Sequence, residues 1–305
     1  MTQTQIKNLQ DTLRSRPALD PDMPVADQRA FFEEITSTAV LPEGTVTTEG
    51  RLGGVPVVHT AHPQAKGGPD APVVLYLHGG GFVVGSARSG TSLTAGLASR
   101  AHGRGVSVGY RLAPEHPFPA AVEDTLAVYR ALLDDGTAPS RIAFAGDSAG
   151  GGLALQALVA ARDAGLPLPA AAVVLSPWYD LTMSGASITT RAADDPILTA
   201  HMLGRYAAAY RGPATGALPV LDDLRGLPPL LVQAGSHEIV LDDAVALASR
   251  AAADDVPVEL EITAGATHVF QRFAGSGLLD EADAALDSAG AFLRRALTPV
   301  LAAAV

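Results

Sequence analysis

Short hydrophobic runs alternate with longer Ala- and Leu-rich segments from about residue 46 onward. Most runs lack polar alternation, which is typical of strands covered on both faces. This rhythm predicts an α/β fold with a mostly parallel sheet and crossover helices. The first two strands should form a hairpin, because Gly53-Gly54 separates them. The predicted strands are Thr45–Leu52, Val55–Thr60, Val73–Leu77, Val106–Leu112, Ile142–Ala145, Ala171–Leu175, Leu230–Ala234 and Val258–Ile262.

Helical patterns fill the intervals between the central strands and predict one domain over residues 1–305. Residues 1–40 and about 180–220 stand outside the alternation. Long insertions between core strands often serve as lids, so we expect a lid at 180–220, with a decorative excursion as the alternative. Within it the pattern predicts a helix over Pro196–Arg211, capped by Asp194 or Asp195. The predicted crossover helices are Thr91–His102, Ala120–Leu133, Ala149–Ala164, Asp242–Ala253 and Asp280–Leu297.

Composition excludes several classes of function. Of 305 residues, 48% are hydrophobic and 17% charged, which predicts a compact folded chain. The net charge of −11, without a basic stripe, argues against nucleic acid and anionic membranes as partners. The absence of cysteine excludes disulfides, thiolate metal sites and a Cys nucleophile. Without a secretory signal or a bilayer-length apolar stretch, we expect a cytoplasmic protein, and the sequence leaves a homodimer open.

The segment Gly146-Asp147-Ser148-Ala149-Gly150 matches G-x-S-x-G, with a predicted strand before it and a predicted helix after it. That context is typical of a nucleophile elbow, a strained turn that exposes a serine at a helix N-terminus. Small residues are needed on both sides of the serine because neighbouring backbone lies close. The motif therefore predicts Ser148 as nucleophile, and a plain Gly-rich turn is the alternative.

A second glycine-rich loop, His78-Gly79-Gly80-Gly81-Phe82, follows the strand Val73–Leu77. Loops of this HGGG type supply backbone N–H groups to the oxyanion in lipases and esterases. We expect the donors to be Gly79, Gly80 and Ala149. A phosphate-binding loop is the alternative, but the GKS or GKT ending of a P-loop is absent.

A serine nucleophile needs a base, and in this fold an acid and then a histidine follow the serine along the chain. His268 has that position, after the last predicted strand. Glu238 directly follows a strand end, where catalytic groups of open α/β sheets gather. Asp242 and Asp243 have the pattern of a helix N-cap and first turn. We expect Glu238 as the acid, with Asp242 as the alternative.

The chain resembles the hormone-sensitive-lipase-like α/β-hydrolases, also called bacterial esterase family IV. The resemblance implies the α/β-hydrolase fold, serine-dependent carboxylester hydrolysis, no cofactor and no metal, and a helical cap built from residues 1–40 and 180–220. Many members carry DPLRDEG in the acid segment, whereas this chain has SHEIVLDD, which supports Glu238. The matching segments are HGGGF at 78–82, YRLAPEHPFPAAVED at 110–124, GDSAGG at 146–151, LSPWYDLT at 175–182, AGSHEIVLDD at 234–243 and THVF at 267–270.

These inferences predict a serine carboxylester hydrolase that cleaves small, short-acyl esters through an acyl-serine intermediate. A lactone hydrolase or an amidase with the same triad is an alternative, and a non-catalytic small-ligand receptor of the same fold is another. Phe82, Trp178 and Tyr179 are expected to line the substrate pocket, with plain packing as the alternative. Asp147, beside the nucleophile, is expected to hold local backbone or to pair with Tyr110-Arg111.

Overall fold

The computed structural model describes residues 2–63, 65, 71–213 and 222–298. The strands of these residues form one eight-stranded sheet in the order β1-β2-β4-β3-β5-β6-β7-β8. β1 and β2 pair as a hairpin, β2 is also antiparallel to β4, and the remaining pairs are parallel. The predicted mostly parallel sheet is confirmed. The strands are β1 Val46–Leu52, β2 Val55–Ala61, β3 Val73–Leu77, β4 Arg104–Val108, β5 Ile142–Asp147, β6 Ala171–Leu175, β7 Leu230–His237 and β8 Val258–Thr267.

Helices cover both faces of the sheet. Val74 and Tyr76 belong to the buried hydrophobic cluster on one face, together with α3 and α9, and Leu75 and Leu77 belong to the cluster on the other face, together with α4, α5 and α8. This alternation along β3 explains its unbroken apolar run, since both of its faces are buried. The helices are α1 Thr2–Ser15, α2 Val25–Thr36, α3 Thr91–Arg100, α4 Ala120–Asp134, α5 Ala149–Asp163, α6 Ser187–Thr190, α7 Ala200–Arg211, α8 Leu241–Ala253 and α9 Asp280–Leu297.

Several predicted elements have different bounds in the structure. β7 and β8 end three and five residues later than expected, and the helix expected from Pro196 begins at Ala200. The expected strand Val106–Leu112 is wrong at both ends, because β4 starts earlier and the chain then leaves the sheet, where Arg111 donates from its backbone N–H to Asp124 at 2.8 Å. The predicted helix cap at Asp194 or Asp195 is also wrong. Thr199 caps α7 instead, with its hydroxyl accepting from the N–H of Met202 at 3.1 Å.

The N-terminal helices pack against the insertion between β6 and β7. Tyr206 of α7 donates its hydroxyl hydrogen to Gln28 of α2 at 2.7 Å, and His201 of α7 contacts Asp22 at 2.9 Å. Arg29 of α2 donates to the carbonyl oxygen of Val83, just after the HGGG loop, at 2.9 Å. These contacts bring both segments to the loop that follows β3. Part of the predicted 180–220 insertion, residues 214–220, lies outside the described residues.

Candidate active site

Ser148 lies at the sharp turn between β5 and α5, with a positive φ of 53°. Positive φ is uncommon for a residue with a Cβ and is often found at functional sites. The turn needs small neighbours, because a Cβ on Gly150 would lie 2.0 Å from the carbonyl oxygen of Leu77 and one on Gly146 would lie 2.4 Å from that of Gly150. The backbone N–H of Ser148 donates to the Leu175 carbonyl oxygen at 2.9 Å. The elbow is thereby held against the end of β6.

His268 and Glu238 meet at the carboxyl ends of the adjacent strands β8 and β7. Nδ1 of His268 lies 2.6 Å from Oε2 of Glu238, and since a carboxylate can only accept, the ring nitrogen donates. The other oxygen, Oε1, accepts from the N–H of Gly235 at 2.7 Å. Glu238 is 0% exposed and His268 is 4% exposed. This buried arrangement leaves Nε2 as the nitrogen of His268 that can take a proton.

The other two carboxylates of this segment bind backbone of the insertion. Oδ2 of Asp242 accepts from the N–H of Ser187 at 2.9 Å. Oδ2 of Asp243 accepts from the N–H groups of Tyr179 and Asp180, each at 2.9 Å. The expectation that Asp242 is an N-cap is wrong, because α8 begins at Leu241 and Asp242 lies within its first turn. The structure therefore brings Glu238, and neither Asp242 nor Asp243, into hydrogen-bonding contact with His268.

Ser148 and His268 are not hydrogen-bonded to each other in this structure. Within the described part of the chain, no hydrogen bond joins the Ser148 hydroxyl to the His268 ring. Such contacts can be long before substrate binds and tighten in the Michaelis complex. Both residues nevertheless lie at the same edge of the sheet, following β5 and β8.

The HGGG loop differs from the sequence expectation in one donor. The N–H of Gly79 donates to Oδ1 of Asp147 at 2.8 Å, so the expectation that Gly79 donates to an oxyanion is wrong for this structure. In the described part of the chain, the amides of Gly80, Gly81 and Ala149 have no acceptor. A Cβ on Gly79 would lie 2.4 Å from Oδ2 of Asp147, which explains the glycine there. The amides available to an oxyanion are therefore shifted one residue along the loop.

Buried polar side chains form a hydrogen-bond network with the HGGG loop. Oδ1 of Asp147 also accepts from the Tyr76 hydroxyl at 2.6 Å, and the Tyr110 hydroxyl donates to the carbonyl oxygen of His78 at 2.7 Å. Asp147 thus holds local backbone, as expected, whereas Arg111 pairs with Asp124. The ring of His78 stacks on Tyr110 with centroids 4.2 Å apart. Burial lowers the pKa of His78 to about 4, so its imidazole is neutral near pH 7.

Aromatic side chains from the loop and from α7 pack beside the elbow. Phe82 stacks on Tyr210 with centroids 3.8 Å apart and lies 6.0 Å from Trp178. Tyr206 contacts the loop so closely that a Cβ on Gly81 would lie 2.0 Å from its ring. Sequence reasoning expected Phe82 and Trp178 here but missed both tyrosines, whose i, i+4 spacing on a predicted helix was the available signal.

Tyr179 differs from the other two expected pocket residues. It is half-buried, and its backbone is held by Asp243 at the start of the insertion. Ring contacts of the kind made by Phe82 and Trp178 are not found for it within residues 71–213 and 222–298. The structure therefore brings Phe82 and Trp178 together and leaves Tyr179 at the edge of the group.

Comparison with known proteins places this geometry in a family. A sequence model of the alpha/beta hydrolase fold matches residues 74–272, about two thirds of the chain. The chain belongs to the α/β-hydrolase family. An acetyl-hydrolase of Streptomyces hygroscopicus is 45% identical over 262 residues, covering 84% of each chain. The carboxylesterase NlhH of Mycobacterium tuberculosis is 33% identical over 278 residues, covering 86% of this chain and 80% of that protein.

A solved structure is similar to this protein over nearly the whole length of the chain. The crystal structure of an esterase from the bacterial hormone-sensitive lipase family has a TM-score of 0.89 and 41% sequence identity, and covers 97% of this chain and 99% of that chain. The recognised resemblance is confirmed at the level of the family and the fold. None of the helices among the described residues is long and apolar enough to cross a membrane. The described residues also contain no group of three or more acidic or histidine side chains that could hold a metal ion.

Proposed function

We propose that this α/β-hydrolase is a serine carboxylesterase that cleaves small, short-acyl esters through an acyl-serine intermediate. The observation that carries the proposal is the buried His268–Glu238 pair, with its 2.6 Å hydrogen bond, at the same sheet edge as the strained Ser148 elbow. A histidine oriented by a carboxylate is the arrangement that activates a serine hydroxyl. The esterases and acetyl-hydrolase among its relatives support the same reaction class.

In the proposed reaction the Ser148 hydroxyl oxygen bonds to the ester carbonyl carbon while its proton passes to Nε2 of His268. Glu238 stabilises the resulting imidazolium through Nδ1. The tetrahedral oxyanion accepts hydrogen bonds from the free amides of Gly80, Gly81 and Ala149. The carbon–oxygen bond to the alcohol then breaks, and the alcohol leaves with the proton from His268. Water repeats the sequence on the acyl-serine, which releases the acid and restores Ser148.

The preference for short acyl groups rests on the packing beside the elbow. Phe82, Trp178 and Tyr210 are each 1% exposed, and Phe82 contacts both of the other rings, so the three form an aromatic wall. A Cβ on Gly152, one turn after Ser148, would lie 2.3 Å from the Trp178 carbonyl oxygen, which leaves that side of the helix without room. A long acyl chain would have to displace several of these rings.

We propose in addition that the hydrolase is one domain whose cap consists of residues 1–40 and 180–220. The hydrogen bond from Tyr206 to Gln28 joins these two segments. Arg29 and Tyr206 join them to the HGGG loop region, by a hydrogen bond to Val83 and by ring packing on Gly81. A cap in this position would cover the substrate as it binds.

The test is hydrolysis of p-nitrophenyl esters of C2, C4, C8 and C16 acids, with Ser148→Ala as the matched control. We expect C2 to C8 turnover to exceed C16 turnover, and the control to be inactive. A lactone and an anilide assayed in parallel test the lactonase and amidase alternatives. Binding of esters without turnover above the control would favour the receptor alternative.

Two further expectations stay predictions. Cell fractionation would test the cytoplasmic location, and light scattering would test whether the protein forms a homodimer.

A further inference from the structure

Strained backbone gathers at the proposed active site. Seven described residues other than glycine have a positive φ, and four of them follow strands at the site: Phe82 (64°), Ser148 (53°), Ser176 (47°) and Val269 (50°). The other three are His102, Met183 and Asp255. Non-glycine residues adopt such angles at a cost, and clusters of them are often functional. The HGGG loop and the elbow account for Phe82 and Ser148. Ser176 and Val269 have no role in the mechanism so far.

Val269 directly follows His268 and has φ 50° and ψ 45°, the left-handed conformation, which is a genuine outlier for a β-branched residue. Its backbone N–H donates to Oγ of Ser176 at 3.0 Å. Its carbonyl oxygen accepts from the N–H of Arg272 at 3.1 Å, within the short 3₁₀ turn that follows. Ser176 is 0% exposed, so water cannot replace its hydroxyl as the acceptor. One side chain therefore holds the N–H of the turn that presents His268.

Ser176 is itself held in place by the sheet. Its backbone N–H donates to the carbonyl oxygen of Gln233 in β7 at 2.6 Å. The residue before it, Leu175, accepts the N–H of Ser148 at 2.9 Å. The dipeptide Leu175-Ser176 at the end of β6 thus contacts the backbone of the nucleophile on one side and the backbone beside the histidine on the other.

We propose that Ser176 is a positioning residue for ester hydrolysis: its Oγ fixes the turn after His268 and so sets where the imidazole lies relative to Ser148. Glycine at position 176 would relieve the positive φ but would supply no acceptor to Val269. The positive φ of Ser176 therefore serves to direct its hydroxyl towards the N–H of Val269. The inference rests on the proposed function, because it requires His268 to act as the base.

The first test compares Ser176→Ala with Ser176→Gly. Both remove the acceptor, and only glycine relaxes the backbone. We expect both to lower kcat about 10- to 100-fold with KM changed less than threefold, because a displacement of about 1 Å at a reacting group can cost 10² in rate. Ser107→Ala is the matched control, since Ser107 is equally buried and its hydroxyl has no partner in the described parts of the chain. Its kcat should not change.

The second test separates positioning from a purely structural role. If Ser176 acts through His268, then Ser176→Ala should cost nothing further in a His268→Ala background, since groups that act as a unit are not additive. Folding of every variant is checked by circular dichroism and thermal unfolding. Wild-type kcat in folded Ser176→Gly, or an equal loss with and without His268, would overturn the proposal. Full activity of Ser148→Ala would instead overturn the proposed function itself.

Discussion

The segment between β7 and α8 contains carboxylates with two different uses. Glu238 comes before the helix and accepts from Gly235 and His268. Asp242 and Asp243 lie in the first turn of α8 and accept from backbone N–H groups of the insertion that follows β6. The same chemical group thus contacts the proposed base at one position and anchors the root of the proposed cap four and five positions later. The difference shows that the role of a carboxylate depends on the hydrogen-bond donors that it contacts and not on its position along the chain.

Asp243 has a strongly raised pKa. Burial raises the pKa of the Asp243 carboxyl to about 7, and the charges of Asp180 and Glu238 add to the effect, while the N–H groups of Tyr179 and Asp180 oppose it. Asp243 therefore titrates near neutral pH in the folded protein. The contribution of Asp243 to stability should for this reason depend on pH.

Removal of the proposed nucleophile or base should cause the largest loss of activity, with which the losses in the carboxylate variants can be compared. We expect Ser148→Ala and His268→Ala each to lower kcat for p-nitrophenyl acetate by about 10⁴ to 10⁶, and the double variant to be hardly worse, because triad members act as a unit. Steady-state kinetics on purified, folded variants provides the measurement. Losses that add in the double variant would contradict the shared mechanism.

Neutralising Glu238 tests the first use. Glu238→Gln keeps the shape of the side chain but removes the charge that would stabilise the imidazolium of His268, so kcat should fall by about 10² to 10⁴. The same substrate assay measures it. Activity within tenfold of wild type in a folded Glu238→Gln enzyme would remove Glu238 from the mechanism.

Much of this arrangement could be predicted from the sequence, because it follows from local patterns. The parallel sheet follows from apolar runs such as Val73–Leu77, and the elbow follows from small residues around Ser148 between a strand and a helix. His268 and Glu238 could be placed together because strand ends on one edge of a parallel sheet are neighbours.

Other features depend on contacts between distant segments. The Gly79 amide is taken by Asp147, 68 residues away, and glycine runs give no sign of which amide a distant carboxylate will bind. Asp195 accepts from the N–H of Ile239, 44 residues away, through one oxygen, and from the nearby N–H groups of Ile197 and Leu198 through the other. The cap of α7 is Thr199, because the helix begins only at Ala200. The packing of Tyr206 on Gly81 is of the same kind. Such pairings are decided by tertiary structure and leave no period in the sequence.

Asp243→Asn tests the second use through pH. A folded-state pKa above the ordinary 3.8 means that Asp243 binds more protons in the folded protein than in the unfolded chain between about pH 4 and 7, so its contribution to wild-type stability should fall as pH rises through that window. Asparagine does not titrate, and its oxygen can still accept from Tyr179 and Asp180. The difference in unfolding free energy should therefore move in favour of Asp243→Asn by up to about 4 kcal/mol between pH 4 and 8. Urea unfolding at pH 4, 6 and 8 measures this, and a difference independent of pH would contradict it.

Asp242→Asn should have the smallest effect. Its oxygen can still accept from the N–H of Ser187, while the loss of a negative charge in the first turn of α8 should cost about 0.3 to 1 kcal/mol in unfolding free energy. Because Asp242 does not contact His268, kcat should stay within about threefold, well under the tenfold that 1.36 kcal/mol of barrier represents. Kinetics and urea unfolding of Asp242→Asn beside Glu238→Gln decide between the two carboxylates. If Asp242→Asn is the crippled enzyme and Glu238→Gln is nearly normal, Asp242 is the triad acid, and the 2.6 Å contact of Glu238 with His268 serves structure alone.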